Sequence, residues 1–373
     1  MLAKEFGHSE WEPSLSWSVR LCKRYSVRRK RLFGEAAAAD KVGRDFWLSN
    51  EWPDMCKRYI PEDIFNADET GLFYRMVPTQ TLAFPDDLSA GGKKNKERVS
   101  ILLCSNMSGN EKLKPFVIGK YAKPRCFKKV NVSNLVKYAP QNSSWMTSDL
   151  FESWLRDVNR KMGSENRHIL LLVDNASCHN SAVELELSNV EVQFLPKNTT
   201  SILQPMDMGI IAATKVIYRK HMCRAIINEL DKGKKATAPE LAKKLTLLQG
   251  IQFLVDAWNA VTESTLVNCW RKAGLCSGPE RNDEVEIVDL NDIIETEMNR
   301  EAFDRWVKCD EFLQTGPSGS IDEIVREVND KFQEEEKESS DEEEVEVEVK
   351  ISNSEALALI ESLKKFYNLH AKR

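Results

Sequence analysis

The order of apolar and polar residues changes character several times along the chain, and each change predicts an element. IFNADETGLFYR (64–75) reads as a strand that enters a turn at Glu69-Thr70-Gly71. RVSILLCSNMSG (98–109) and KLKPFVIGK (112–120) follow as two further strands around Asn106-Met107-Ser108-Gly109, which predicts an antiparallel meander. TSDLFESWLRDVNRKM (147–162) places Leu150, Phe151, Trp154 and Val158 at helical steps behind Thr147, a candidate N-cap. HILLLVDNASCHN (168–180) then runs through continuous apolar residues into Asp174, as a strand buried on both faces does. Residues 180–188 suit a short helix and VEVQFLP (190–196) a short strand. Helical spacing returns from Ile210 to about Leu230. This order predicts an α/β fold with a ribonuclease-H-like mixed sheet flanked by helices.

Outside that region the pattern is helical or polar. Residues 1–60 are basic and helix-like, with Pro53 interrupting any long helix, and 237–261 and 262–275 read as further helices. An acidic, Ser-bearing stretch follows, expected to be partly disordered because it cannot bury enough apolar surface to offset ordering entropy. SEALALIESLKKFYNL near the end aligns Leu359, Ile360, Leu363, Phe366 and Tyr367 on one side of an amphipathic helix. The expected domains are a basic helical segment (1–60), a catalytic domain (61–235), a helical extension (236–281), an acidic linker (282–350) and a C-terminal helix (351–373). That last helix is too short to stand alone, so a protein partner is an expectation for it.

Charge sharpens this picture. The whole chain carries −5, yet Glu334 to Glu348 alone holds ten acidic residues and one lysine, so the remainder is net basic. Arg20 to Arg31 packs seven basic residues into twelve. The asymmetry predicts a nucleic-acid-facing part and an acidic solvated tail. The nine cysteines include no CxxC pair, which fits free thiols in a reducing compartment. No stretch is long enough to span a bilayer and no signal peptide opens the chain, so no membrane partner is expected.

Three aspartates are the candidate chemistry: Asp68 on the first strand, Asp174 at the end of the long apolar strand, and Asp207 at the start of the following helix. Converging carboxylates can hold two divalent ions about 3.5–4 Å apart, an arrangement that cleaves phosphodiesters. Each has a structural alternative. Asp174 can simply open a turn, Asp207 can be a first-turn acid favoured by the helix dipole, and Glu69 can replace Asp68 as the ligand. His179 is placed to touch a substrate or to make a structural hydrogen bond. Asn175 is placed to orient a ligand carboxylate.

FNADETGLFY, LLLVDNASCH and LPKNTTSILQPMDMGII resemble, in order, the three signature blocks of the DDE domain of pogo/Tigger transposases, a group that includes jerky-like and centromere-binding-protein-B-like host proteins. The resemblance extends through GKKNKERVSILLCSNMSGNEKLKPFVIGK, WMTSDLFESWL and AWNAVTESTLVNCWRKAGL, covering about residues 30 to 275. It implies Asp68, Asp174 and Asp207 as catalytic metal ligands for Mg²⁺ or Mn²⁺, two ions in all. It also implies DNA as partner, with cleavage and strand transfer as the reaction. Because two ends are paired by two subunits in that mechanism, a homodimer is a further partner expectation. Relatives carry two helix-turn-helix modules before the catalytic domain; residues 14–60 resemble only the end of the second and its connector, and the first is expected to be absent.

Arg28, Arg29, Lys30 and Arg31 have the composition of a nuclear-import signal or a phosphate-binding patch, which makes the nucleus the expected location. Lys93, Lys94, Lys96 and Arg98, then Lys197, then Lys215, Arg219 and Lys220 are expected DNA-backbone contacts, with solvated surface as the alternative. Two functions therefore stand side by side: a metal-dependent DNA endonuclease, and a host-recruited or decayed binding protein without catalysis.

Overall fold

The computed structural model describes residues 40–77, 95–232, 237–276, 305–310, 313 and 315–316, with residues 181, 183 and 184 described by backbone alone. The chain divides into two units, Met1–Pro317 and Ser318–Arg373, and every described residue lies in the first. Arg28, Arg29, Lys30, Arg31, Lys93, Lys94, the acidic run and the C-terminal helix lie outside the described residues.

Six strands form one sheet: β1 (Ile64–Phe73), β2 (Arg98–Asn106), β3 (Phe116–Gly119), β4 (Lys137–Pro140), β5 (Ile169–Val173) and β6 (Val190–Phe194), in the order β4-β3-β2-β1-β5-β6. β1, β2 and β3 pair antiparallel as a meander, whereas β5 joins β1 and β6 joins β5 in parallel. This is the predicted ribonuclease-H-like mixed sheet. β4 was not predicted. It has four half-buried or exposed residues, ends in a proline, and lies at the sheet edge, so its sequence shows no apolar alternation.

The helices follow from local sequence. α1 (Lys41–Asn50) is capped by Asp40, whose carboxylate accepts the Gly43 amide at 2.8 Å, and α2 (Trp52–Arg58) starts with Pro53 in its first turn. α3 (Ser148–Ser164) begins behind Thr147, as its sequence predicts, and buries Phe151, Trp154, Leu155 and Val158. Residues 177–184 form a 3₁₀ turn in place of the expected short helix. α4 (Thr200–Leu203) and a π-helical turn (Met206–Ile210) lead into α5 (Ile211–Asp231). α6 (Ala238–Lys244), α7 (Leu247–Ala260) and α8 (Glu263–Lys272) follow, the first two opening with capping boxes at Thr237 and Thr246.

Each face of the sheet carries its own core. On one, Phe65, Phe116, Leu171 and Val173 pack under α3. On the other, Ile64, Ile101, Leu103, Leu170 and Leu172 share a core with Tyr218 and Met222 of α5, Trp258 of α7 and Trp270 of α8. The expected break near residue 235 is therefore not a break in the hydrophobic core. Trp258 donates its indole N–H to the Leu113 carbonyl at 3.0 Å, and Lys112 caps the end of α7 through the carbonyls of Trp258, Asn259 and Val261. Trp47 stacks on Trp52, which donates to the Leu275 carbonyl, so α1 and α2 close onto the segment after α8.

Residues 305–316 were expected to belong to a partly disordered linker. The described ones pack on the first unit: Trp306 and Val307 are buried, Trp306 donates to the Met76 carbonyl at 2.7 Å, and Thr315 accepts the Met146 amide. Hydrophobic anchors within an acidic stretch hold these described residues in place. The described cysteines are free thiols, and no helix among the described residues is long and apolar enough to cross a membrane.

Candidate active site

Strand register aligns the first two aspartates. Ile64, Phe65 and Asn66 pair in parallel with Leu170, Leu171 and Leu172, and Asp68 and Asp174 each stand two residues beyond the Asn66–Leu172 pair. Side chains alternate along a strand, so Asp68 shares the face of Ile64, Asn66, Leu170 and Leu172, while Asp174 stands just past the end of β5, near enough to act on both Asp68 and His179. That face packs against α5, and the turn before α5 carries Asp207.

Asn66 fixes that turn. Fully buried, it donates through Nδ2 to the Leu172 carbonyl at 3.0 Å and accepts the Met206 amide on Oδ1 at 2.9 Å. The chain then passes through the π-helical turn, in which Gly209 has φ of 142°, a conformation that side chains other than glycine rarely adopt. Lys272 of α8 donates to the Met208 carbonyl, holding the turn from the other side. Asp207 is exposed on this turn, ahead of the regular helix rather than in its first turn.

Alternation along β1 sends Asp68 and Glu69 to opposite faces. Glu69 points to the face away from Asp68, where its carboxylate lies 3.1 Å from Nε2 of His179. His179 is buried, lies tilted against the Phe151 ring with centroids 4.2 Å apart, and reaches Oδ1 of Asp174 through Nδ1 at 2.9 Å. Glu69 is thus engaged by the imidazole, and of the two readings of His179 the structure favours a hydrogen-bonded bridge that orients Asp174. Asp174 also accepts the Ala176 amide at 3.0 Å, which bends the chain at the strand end. Asn175 is directed away, donating to the Leu195 carbonyl.

The electrostatics follow from this packing. Burial raises the Asp68 carboxyl well above the usual range, and the charges of Asp207, Asp174 and Glu69 push it further, while the Gln204 carboxamide opposes them. Gln204 lies beside Asp68 without a hydrogen bond of full geometry. Burial works against ionised Asp174, but the His179 hydrogen bond and charge outweigh it and hold that carboxyl below its ordinary value. Burial likewise disfavours the His179 imidazolium, yet Glu69 and Asp174 prevail and raise it. Two carboxylates, Glu69 and Asp174, thus flank one imidazole.

The donor set is carboxylate oxygen, which suits a hard divalent cation, and the mutual repulsion at Asp68 is what such a cation would relieve. Among the described residues no three acidic, histidine or cysteine side chains already converge at ligand distance. Asp68, Asp174 and Asp207 are close enough to repel but do not form a closed cage.

The other expected contacts separate. Lys197 is exposed on the loop leading toward Asp207. Arg98 donates to the Ser143 carbonyl, and Lys96 is exposed. Lys215 and Arg219 are not surface groups: both are buried and ion-paired to Asp310, at 2.9 and 2.7 Å. Lys220 is buried as well. A signal was available, since Lys215, Arg219, Met222 and Ile226 follow the helical stripe that faces the core. The partner acid was invisible because it stands more than ninety residues away.

Residues 96–270 match the DDE superfamily endonuclease family. The chain is 32% identical over 281 residues to the mouse Tigger transposable element-derived protein 4, covering 75% of this chain and 53% of that protein. It is 32% identical over 286 residues to the human Jerky protein homolog, covering 72% and 48% respectively, so the chain spans about half the length of these curated relatives. Among solved structures it is similar to the Mos1 mariner paired end complex with Mn, at 16% identity and a TM-score of 0.37, covering 71% of this chain and 73% of that one. With its meander and its parallel strands, the chain thus carries over residues 96–270 a region that matches the DDE superfamily endonuclease family, and it is homologous to the Tigger transposable element-derived and Jerky proteins.

Proposed function

We propose that the chain is a nuclear, divalent-metal-dependent DNA endonuclease domain in which Asp68, Asp174 and Asp207 hold Mg²⁺ or Mn²⁺. The observation that carries this reading is the gathering of the three aspartates, from two adjacent parallel strands and the turn tied to them by Asn66. DNA as substrate, with cleavage and strand transfer as the chemistry, accords with a relative derived from a transposable element. The nuclear location rests on that substrate and on the basic run Arg28 to Arg31.

A pair of bound ions would activate the attacking oxygen and stabilise the leaving oxygen. The residues of the chain prepare for this. The β1–β5 register sets Asp68 level with Asp174, and His179 orients Asp174 and favours its ionised form. Glu69, on the far face, shares that imidazole. Asn66 and Gly209 shape the turn that presents Asp207.

Nicking of supercoiled plasmid by the purified chain with Mg²⁺ or Mn²⁺ tests the reading. Asp68→Asn, Asp174→Asn and Asp207→Asn should each abolish nicking while the far-ultraviolet circular dichroism stays unchanged. Nicking that persists in Asp174→Asn would overturn the assignment. Wild-type protein that neither nicks nor binds metal by calorimetry would instead identify a domain kept for binding.

A further inference from the structure

A site made of carboxylates repels the polyanion it is proposed to cut, so cations must hold the substrate nearby. Two of the expected cations, Lys215 and Arg219, are committed to Asp310. The chain has another source. From Lys112 to Ser148 it contains eight lysines and arginines and no acidic residue. Three of the eight are used internally: Lys112 caps α7, Lys114 donates to the Ser133 carbonyl, and Lys137 pairs with Asp157. The other five, Lys120, Lys123, Arg125, Lys128 and Lys129, are exposed on the loop between β3 and β4, and none makes an ion pair among the described residues.

This loop has a built framework. Tyr138 donates its hydroxyl to the Tyr121 carbonyl at 2.7 Å and meets the Phe127 ring edge-on at 5.0 Å. Short 3₁₀ turns at Arg125–Phe127 and Val132–Asn134, the second capped by Asn131, shape the rest. Its position also matters. β1 and β3 both run antiparallel to β2, so they are parallel to each other, and Ile118 lies level with Gly71 through Ser100. The loop therefore leaves the sheet at the same end as Asp174, two strands from β1, or about 10 Å at ordinary strand spacing. Tyr121, 62% exposed beside Lys120, adds an aromatic surface to the cations.

We infer that the 120–129 loop binds the phosphodiester backbone of DNA flanking the bond presented to Asp68 and Asp174. The inference deepens the proposed function and rests on it for the identity of the polyanion. Backbone contacts of this kind are independent of sequence and are read by their salt dependence, with log K falling by about 0.9 per log unit of salt for each phosphate contact.

The test is fluorescence-anisotropy titration of the full chain with a labelled DNA duplex in Ca²⁺, across a range of salt concentrations. The variant carrying Lys120→Gln, Lys123→Gln, Arg125→Gln, Lys128→Gln and Lys129→Gln should bind at least roughly tenfold more weakly, with a shallower salt slope. A Lys→Arg variant at the four lysines should bind as wild type does. Lys128→Gln with Lys129→Gln, both exposed, serves if the larger set impairs folding, and should still lower the slope. Unchanged affinity and slope in these variants would overturn the inference, as would wild-type protein that binds anionic vesicles but not the duplex. Nicking is scored separately. DNA binding lost in the loop variants of a chain that never nicks would sustain the surface and remove the endonuclease, whereas nicking with loop-independent binding would do the reverse.

Discussion

Asn66 accepts the Met206 amide proton at 2.9 Å across 140 residues of sequence, and its other carboxamide atom is bonded to Leu172. One buried side chain thereby ties together the two strands and the turn that present Asp68, Asp174 and Asp207.

Asn66→Ala should leave the Met206 amide and one bond to Leu172 unmade in a dry interior. The expected cost is roughly 2–4 kcal/mol, read as a lower urea midpoint with unchanged m-value. At temperatures where the variant remains folded, nicking should fall further than its folded fraction, because the Asp207 turn loses its anchor. Loss of nicking in proportion to the folded fraction would reduce Asn66 to a stabilising residue.

Asp68 should trade stability for chemistry. Its folded-state pKa is raised by burial and then by the neighbouring carboxylates, so its contribution is favourable only in acid and is lost as pH rises through the folded value. At neutral pH without divalent ions, Asp68→Asn should therefore raise the thermal midpoint, by roughly 1 kcal/mol or more of stability. Added Mn²⁺ should raise the midpoint of the wild type and leave the variant nearly unchanged. A variant less stable than wild type under metal-free conditions would contradict this.

Asp310 neutralises two buried cations and accepts the Phe73 amide at 3.2 Å. Asp310→Ala should destabilise the chain by about 3–5 kcal/mol, because Lys215 and Arg219 would be left buried without a counter-charge. Replacing all three together by apolar residues of similar size should recover much of that loss. Chemical denaturation of the single and triple variants decides the point, and a mild single variant would mean that the cations can reach solvent.

Glu191 links α2 to β6 through Arg58, at 2.6 Å, and through Tyr59, at 2.8 Å. The Arg58 hydrogen bond leads in holding the Glu191 carboxyl below its ordinary value, so its contribution is present above the ordinary glutamate range and is lost as pH falls. Tyr59 is pushed up to about 12 by burial and then by the Glu191 hydrogen bond. Its contribution is complete below its ordinary value near 10 and disappears as pH rises through 12. Glu191→Gln should flatten both limbs of a stability-versus-pH profile. At neutral pH the change should be at most about 1 kcal/mol, since these groups are largely solvated.

The meander, the buried β5 strand and α3 with its Thr147 cap were legible in the sequence, whereas the expected turn at Glu69-Thr70-Gly71 is continuous strand, so Asp68 stands in the middle of β1 and not at its end. What was legible depends on local periodicity or on the chemistry of a turn, and those act over a few residues. What only the tertiary structure decided depends on partners distant along the chain. Whether Asp68 or Glu69 faces the other acids required the β1–β5 register and the position of His179. That Lys215 and Arg219 are structural required Asp310, on a segment whose acidic surroundings read as linker. β4 escaped notice because an edge strand of four residues has no apolar face to reveal it. Local pattern specifies which elements form, but the pairing of a buried charge is a property of the whole packed interior.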